Sequence, residues 1–295
     1  MKRLFILTCL ILSGCGTAGE KLHEIIACGD DKVIIIDAKA SDEESVTIVW
    51  EWKTSDAASQ LPEEYQEYMN TIDDCKPVNN NTQLLLTASS GGVVLLDRAT
   101  KNCLFYAHVP NAHSADLLPG GRIAVALSIH PAGNRIELYD IRKPEQVLFR
   151  DSLYSGHGAV WVAERNLFYA LGYDELRAYS LKDWDTPAPK LALEKKWPIP
   201  VESGHDLSLV SGNGLLLSGH EGVYSFDMST GKFTPFEPLQ STNDVKSVNY
   251  NDKTAELIYT KAEESWWTYH IYFKNPDKTL TIPNIKLYKV RTIKN

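Results

Sequence analysis

Five short stretches decide the fold: Asp74-Cys75-Lys76-Pro77, Ala112-His113-Ser114-Ala115, Gly156-His157-Gly158-Ala159, Gly204-His205-Asp206-Leu207 and Val245-Lys246-Ser247-Val248. Each puts a lysine or a histidine at one key position. Those positions, 76, 113, 157, 205 and 246, lie 37, 44, 48 and 41 residues apart. A period near forty residues built of short strands is the signature of a β-propeller. In a propeller the first strand of each blade, strand a, lines the central channel. Equivalent residues on successive blades therefore share a ring, with neighbours on the order of 10 Å apart or less.

The segments between these stretches read as strands: short, β-branched or aromatic, and punctuated by Gly, Asn, Asp and Pro turns. Residues 75–78, 83–88, 93–97 and 103–108 make one complete four-stranded unit. Residues 123–127, 135–140 and 147–150 repeat it, followed by 167–171 and 175–181, then 215–218, 222–227 and 232–236, then 256–261, 267–274 and 279–282. The first blade starts at its second strand (23–28, 32–37 and 46–53), and the leftover C-terminal strand 285–291 supplies the missing one. Such closure joins the chain ends and removes an exposed sheet edge. The expectation is an all-β, six-bladed propeller closed by the C-terminal strand. Seven blades is the alternative, because 55–72 is long for a loop; we read it as a helical insertion near 62–69 with Glu63, Glu64 and Glu67 outward.

Lys2 and Arg3 precede an apolar run from Leu4 to Leu12, the pattern of a secretory signal peptide and too short for a membrane span. Leu12-Ser13-Gly14-Cys15 matches the bacterial lipobox. The expected organisation is a signal peptide over 1–14, a lipidated tether over 15–22 and one propeller domain over 23–295. Cys15 is the expected lipidation site and membrane attachment. The cell envelope, at the outer membrane, is the expected location, with the periplasmic or surface side open.

Losing the signal peptide shifts the formal net charge from −8 to about −10, which argues against a nucleic-acid partner. A monomer is expected. Cys28, Cys75 and Cys103 are odd in number and lack metal-ligand spacing, so they read as buried thiols, with one disulfide open in an oxidising compartment.

The predicted ring comprises Lys76, His113, His157, His205, Lys246 and either Lys286 or Lys289, with Asp74 as an alternative occupant in blade two. Histidine exchanges protons near neutral pH, and crowded cations lower one another's pKa. The ring should therefore hold an anion and a base: His113, His157 and His205 as candidate catalytic residues, Lys76 and Lys246 as substrate-binding cations. The connections between the second and third strands add His220, Tyr173 and, more weakly, His130 on the same face. Trp266, Trp267 and Tyr269 read either as a sugar-stacking platform or as outer-strand core. The chain has no serine-nucleophile motif, no phosphate-binding glycine loop and no close glycosidase-type carboxylate pair.

Asn111-Ala112-His113-Ser114-Ala115-Asp116-Leu117-Leu118-Pro119-Gly120-Gly121 and Gly156-His157-Gly158-Ala159-Val160-Trp161, followed by Leu171-Gly172, resemble a family of uncharacterised secreted bacterial propeller proteins. The chain is also similar to the propeller polysaccharide lyases, including oligogalacturonate lyase and the rhamnose–glucuronate lyases. That similarity implies histidines at the channel mouth, here His113, His157 and His205, often with a divalent metal, Mn²⁺ or Ca²⁺. It further implies β-elimination on a uronic-acid-containing oligosaccharide or polysaccharide. The competing expectation is a non-catalytic lipoprotein that binds an anionic glycan or a partner protein through the same face.

Overall fold

The computed structural model describes residues 23–293. Six four-stranded antiparallel sheets, each a blade, make a six-bladed β-propeller. Blade one runs Leu287–Thr292, Glu24–Gly29, Lys32–Asp37, Ile48–Lys53, from strand a at the channel to strand d at the rim. Blade two is Ile72–Val78, Gln83–Ala88, Gly92–Asp97, Cys103–His108, and blade three Ala112–Leu118, Arg122–Leu127, Arg135–Asp140, Phe149–Ser152. Blade four is Gly158–Val162, Leu167–Leu171, Glu175–Lys182, Lys190–Pro198, and blade five Asp206–Leu209, Gly214–Ser218, Val223–Asp227, Lys232–Pro235. Blade six is Val245–Asn251, Glu256–Lys261, His270–Lys274, Lys278–Thr281.

The burial pattern explains the sequence texture. Blades pack face to face, so their middle strands lose both faces to neighbours and read as continuous apolar runs. Lys32-Val33-Ile34-Ile35-Ile36-Asp37 is buried at every position after the first, and Arg122–Leu127 is buried throughout. Outer strands have one wet face and alternate, as Cys103–His108 does.

The C-terminal strand closes the ring by pairing Ile25↔Thr292, Ile26↔Arg291, Ala27↔Val290 and Cys28↔Lys289. The six blades exclude the seven-blade alternative. Residues 54–71 instead hold a 3-10 turn, Thr54–Ala57, and one helical turn, Tyr65–Tyr68. Ala57, Leu61, Tyr65 and Met69 pin this insertion to the core between blades one and two, and Glu63, Glu64 and Glu67 face solvent. Cys28, Cys75 and Cys103 are free thiols. The sulfurs of Cys28 and Cys75 both face the Lys289 carbonyl, at 3.7 and 4.0 Å. Among the described residues no helix is long and apolar enough to cross a membrane. The signal peptide, Cys15 and the tether over 15–22 lie outside the described residues.

Candidate functional site

The heads of four inner strands carry an irregularity that sets the site. In blade two the pairing skips from Ile72↔Ala88 to Asp74↔Thr87; in blade three from Ala112↔Leu127 to Ser114↔Ala126; in blade six from Val245↔Lys261 to Ser247↔Thr260. The skipped residues are Asp73, His113 and Lys246. A bulge of this kind frees one residue from the ladder and re-aims its side chain. In blade one the same skip leaves Tyr288 between Leu287 and Lys289. In blades four and five, His157 and His205 donate their amides to the Leu171 and Ser218 carbonyls, just ahead of the first paired residues Gly158 and Asp206. The ring is therefore Asp73, His113, His157, His205, Lys246 and Tyr288.

This corrects two expected positions. Lys76 lies three residues past the bulge of blade two, and neither Lys286 nor Lys289 is the blade-one member. The four central members converge as expected. The rings of His113 and His157 are 4.3 Å apart, those of His157 and His205 5.8 Å apart, and Lys246 donates from Nζ to His205 Nε2 at 3.0 Å. Tyr288 meets His113 edge-on at 6.0 Å. His157 donates Nδ1–H to the Ser155 carbonyl at 2.9 Å, and His113 faces the Asn111 carbonyl at 3.3 Å. Both bonds select the Nδ1–H tautomer and leave the lone pair on Nε2.

Below the ring lies a charged plug. The next register level holds Asp74, Ser114, Gly158, Asp206, Ser247 and Lys289; two residues further come Lys76, Asp116, Val160, Ser208, Asn249 and Arg291. Arg291 forks between two carboxylates. Its Nε and Nη2 reach Asp74 at 2.7 and 2.8 Å, and its Nη1 and Nη2 reach Asp206 at 3.0 and 2.7 Å. Lys289 pairs with Asp206 at 3.1 Å and donates to the His157 carbonyl at 3.3 Å. Gly158 leaves this level without a side chain, because a Cβ there would sit 2.5 Å from that of Leu207. Both central cations come from the closing strand and both carboxylates from blades two and five, so ring closure and charge neutralisation are one event.

Burial sets the protonation states, since it penalises whichever form is charged. It drives His157 down to about 4 and His205 to about 2, and His113 well below the imidazole range; nearby Lys289 adds to each shift. The three imidazoles are neutral at pH 7. Burial also lowers Lys246 to about 8 and raises Asp73 to about 7. Burial pushes the Asp74 carboxyl up, but Arg291, Lys289 and Lys76 outweigh it and hold the group below its ordinary range; Arg291 and Lys289 do the same for Asp206.

Acid should therefore loosen the fold in two stages. Between about pH 6.5 and 4 the unfolded chain protonates its histidines while the folded ring does not, so stability falls as pH falls. Asp73 and Asp116, both raised by burial, have the opposite sign in that window, but they are two groups against three. Below the ordinary aspartate value of 3.8, the contribution of Asp74 and Asp206 is lost as well. Urea midpoints measured across this range should decline with acidification. His157→Gln should flatten the upper stage; an unchanged slope would contradict a neutral buried His157.

The remaining predicted residues separate by face. His220 sits at the rim and bonds Asp244 through Nδ1 at 2.9 Å; Asp244 is in turn 3.8 Å from Lys246 and 3.9 Å from His205 Nε2. Tyr173 packs against Tyr154 at 5.6 Å. His130 is exposed and accepts the Ala132 amide within its own turn, apart from the ring. Lys76 lies beyond the plug. It donates to the Ala159 carbonyl and lines a cavity of about 240 Å³ at the other mouth with Asp116, Ser208, Arg291 and Trp161. It therefore cannot share an anion with the histidines. Trp267 falls with Trp266 in the turn before strand c of blade six, whereas the strand expected over 267–274 begins only at His270.

Among the described residues no group of three or more His, Cys, Asp or Glu side chains is disposed to hold a metal ion. Lys246 also occupies the Nε2 lone pair of His205. Sequence reasoning missed Asp73, Asp244 and Tyr288. The doublet Asp73-Asp74 and the aspartate directly before Val245 were the available signals. None of the curated proteins matches this chain. A family model matches residues 21–295, and the chain belongs to that family, the family of unknown function DUF6528.

Proposed function

We propose that the protein acts on a uronic-acid-containing glycan by β-elimination at the histidine mouth of its channel. The observation that carries this reading is the arc His113–His157–His205–Lys246: three neutral imidazoles in ring contact, ending on an ammonium. Elimination needs a base for the proton on the carbon beside the carboxylate, and positive charge to hold the carboxylate and the developing enolate. His157 Nε2 takes that proton. The electron pair forms a C=C bond as the C–O bond to the departing sugar breaks. The departing oxygen takes a proton from Asp73, which burial keeps protonated up to about pH 7. Lys246 meets the carboxylate, and Lys289, fully buried below, adds its field.

Incubation with polygalacturonate and related uronate polymers tests this through the ultraviolet absorbance of the new C=C bond. A second reading, a non-catalytic binder of anionic glycans, is favoured by the burial of His157, only 8% exposed, and by the tie between Lys246 and His205. It predicts binding without absorbance change. Because Lys246 titrates at about 8, carboxylate affinity under either reading should fall as pH rises through that value.

Localisation follows the same face logic. Strand a descends from the histidine mouth and strand b returns, so His23, ahead of strand b in blade one, lies at the opposite mouth beside Ile293. Cys15 precedes His23 by eight positions, a reach of about 30 Å at most. A lipid on Cys15 would then hold the protein at the outer membrane with the histidine mouth turned away from the bilayer. Cys15→Ser should release the protein to the soluble fraction or block its processing. Retention in the membrane fraction would mean that another anchor operates.

A further inference from the structure

An exposed tryptophan stands beside the ring. Trp266 is 65% exposed, an unusual state for so large an apolar side chain unless it meets a partner. Its turn is firmly built. Glu264 and Trp267 pair across it, Thr268 pairs with Leu287 of the closing strand, and Glu263 accepts hydrogen bonds from Thr268, His270 and Tyr272. Trp267 is fixed beneath, 5.0 Å from Tyr269, with Lys286 Nζ 5.1 Å from its ring centroid. A cavity of about 200 Å³ opens between this turn and the channel, lined by Thr71, Asp73, Trp266, Trp267, Lys286 and Tyr288 among others. Asp73 and Tyr288 are ring members, so the cavity adjoins the histidine mouth.

A rigid exposed indole, hydroxyl and carboxyl groups along the wall and one cation form a surface matched to a sugar. The indole covers the C–H face of a pyranose, the polar wall takes its hydroxyls, and the ammonium takes a carboxylate. We propose that this cavity is a second sugar subsite. In it one uronate residue stacks on Trp266 with its carboxylate at Lys286, while the next sugar enters the ring past Asp73 and Tyr288. The ligand class is an acidic oligosaccharide rather than a monosaccharide. This inference rests on the glycan reading above but not on elimination.

The test measures binding of oligogalacturonate, its methyl-esterified form and monomeric galacturonate to wild-type, Trp266→Ala and Lys286→Gln proteins by calorimetry, alongside their melting temperatures. Trp266→Ala should weaken the oligomer roughly tenfold or more and leave the monomer unchanged. Lys286→Gln should reduce the preference for the free acid over the ester, leaving only the part that Lys246 supplies. Both variants should melt like the wild type. Oligomer affinity unchanged in Trp266→Ala overturns the subsite, even where wild-type protein forms unsaturated product. Trp266-dependent binding without product removes elimination and keeps the subsite. Wild-type protein that binds none of the probes overturns both.

Discussion

Arg291→Ala should cost about 3–5 kcal/mol of folding free energy, the largest single-residue effect expected in this chain. The guanidinium satisfies Asp74 and Asp206 at the channel axis, and both carboxylates are almost fully buried. Its removal leaves them with Lys289 as the nearest compensating cation, while the desolvation cost remains. Urea denaturation should show a much lower midpoint with little change in slope. Asp206→Asn in the same background should recover part of the loss, because it removes one stranded charge. Two costs that simply add would mean that Arg291 acts through packing alone. Removal of residues 285–295 should be worse, since it also exposes strand b of blade one and deletes Lys289. A truncated protein with unchanged melting would contradict closure by this strand.

His157→Ala should abolish turnover of a uronate polymer while the protein stays folded. His157 lies between His113 and His205, and its shorter bond to Ser155 leaves its Nε2 lone pair available, as the longer contact to Asn111 does for His113. Loss of a positioned general base costs typically 10²–10⁴-fold in rate. His130→Ala should leave turnover unchanged, because its ring bonds only within its own turn. Turnover that survives His157→Ala would move the base to His113 or elsewhere; loss of the fold would show that the imidazole is a structural plug.

The blade period was legible because each inner strand begins with a comparable short stretch, and the closure was legible because blade one lacked an inner strand. Strand d of blade four, Lys190–Pro198, escaped detection. An outermost strand has a solvated face, and Glu194, Lys195 and Lys196 there look like loop. His113, His157, His205 and Lys246 could be found because their neighbours Ser114, Gly158, Asp206 and Ser247 repeat a register. Asp73 and Tyr288 could not, since a bulge shifts the register by one and spacing alone cannot show where it falls. Lys76 was misplaced for that reason: counting from Cys75 puts it at the mouth, whereas pairing with Leu85 puts it beyond the Arg291 plug. The depth of the ionic network was also hidden, because paired charges and solvated charges look alike in a sequence.

The measurement that bears most directly on the account is the imidazole NMR spectrum of the full chain titrated with oligogalacturonate. A glycan-binding histidine mouth predicts saturable shifts of the His113, His157 and His205 ring signals, little change at His130, and loss of the effect in Lys246→Ala. Oligogalacturonate that leaves those three rings unmoved, or that moves only surface histidines, would contradict it.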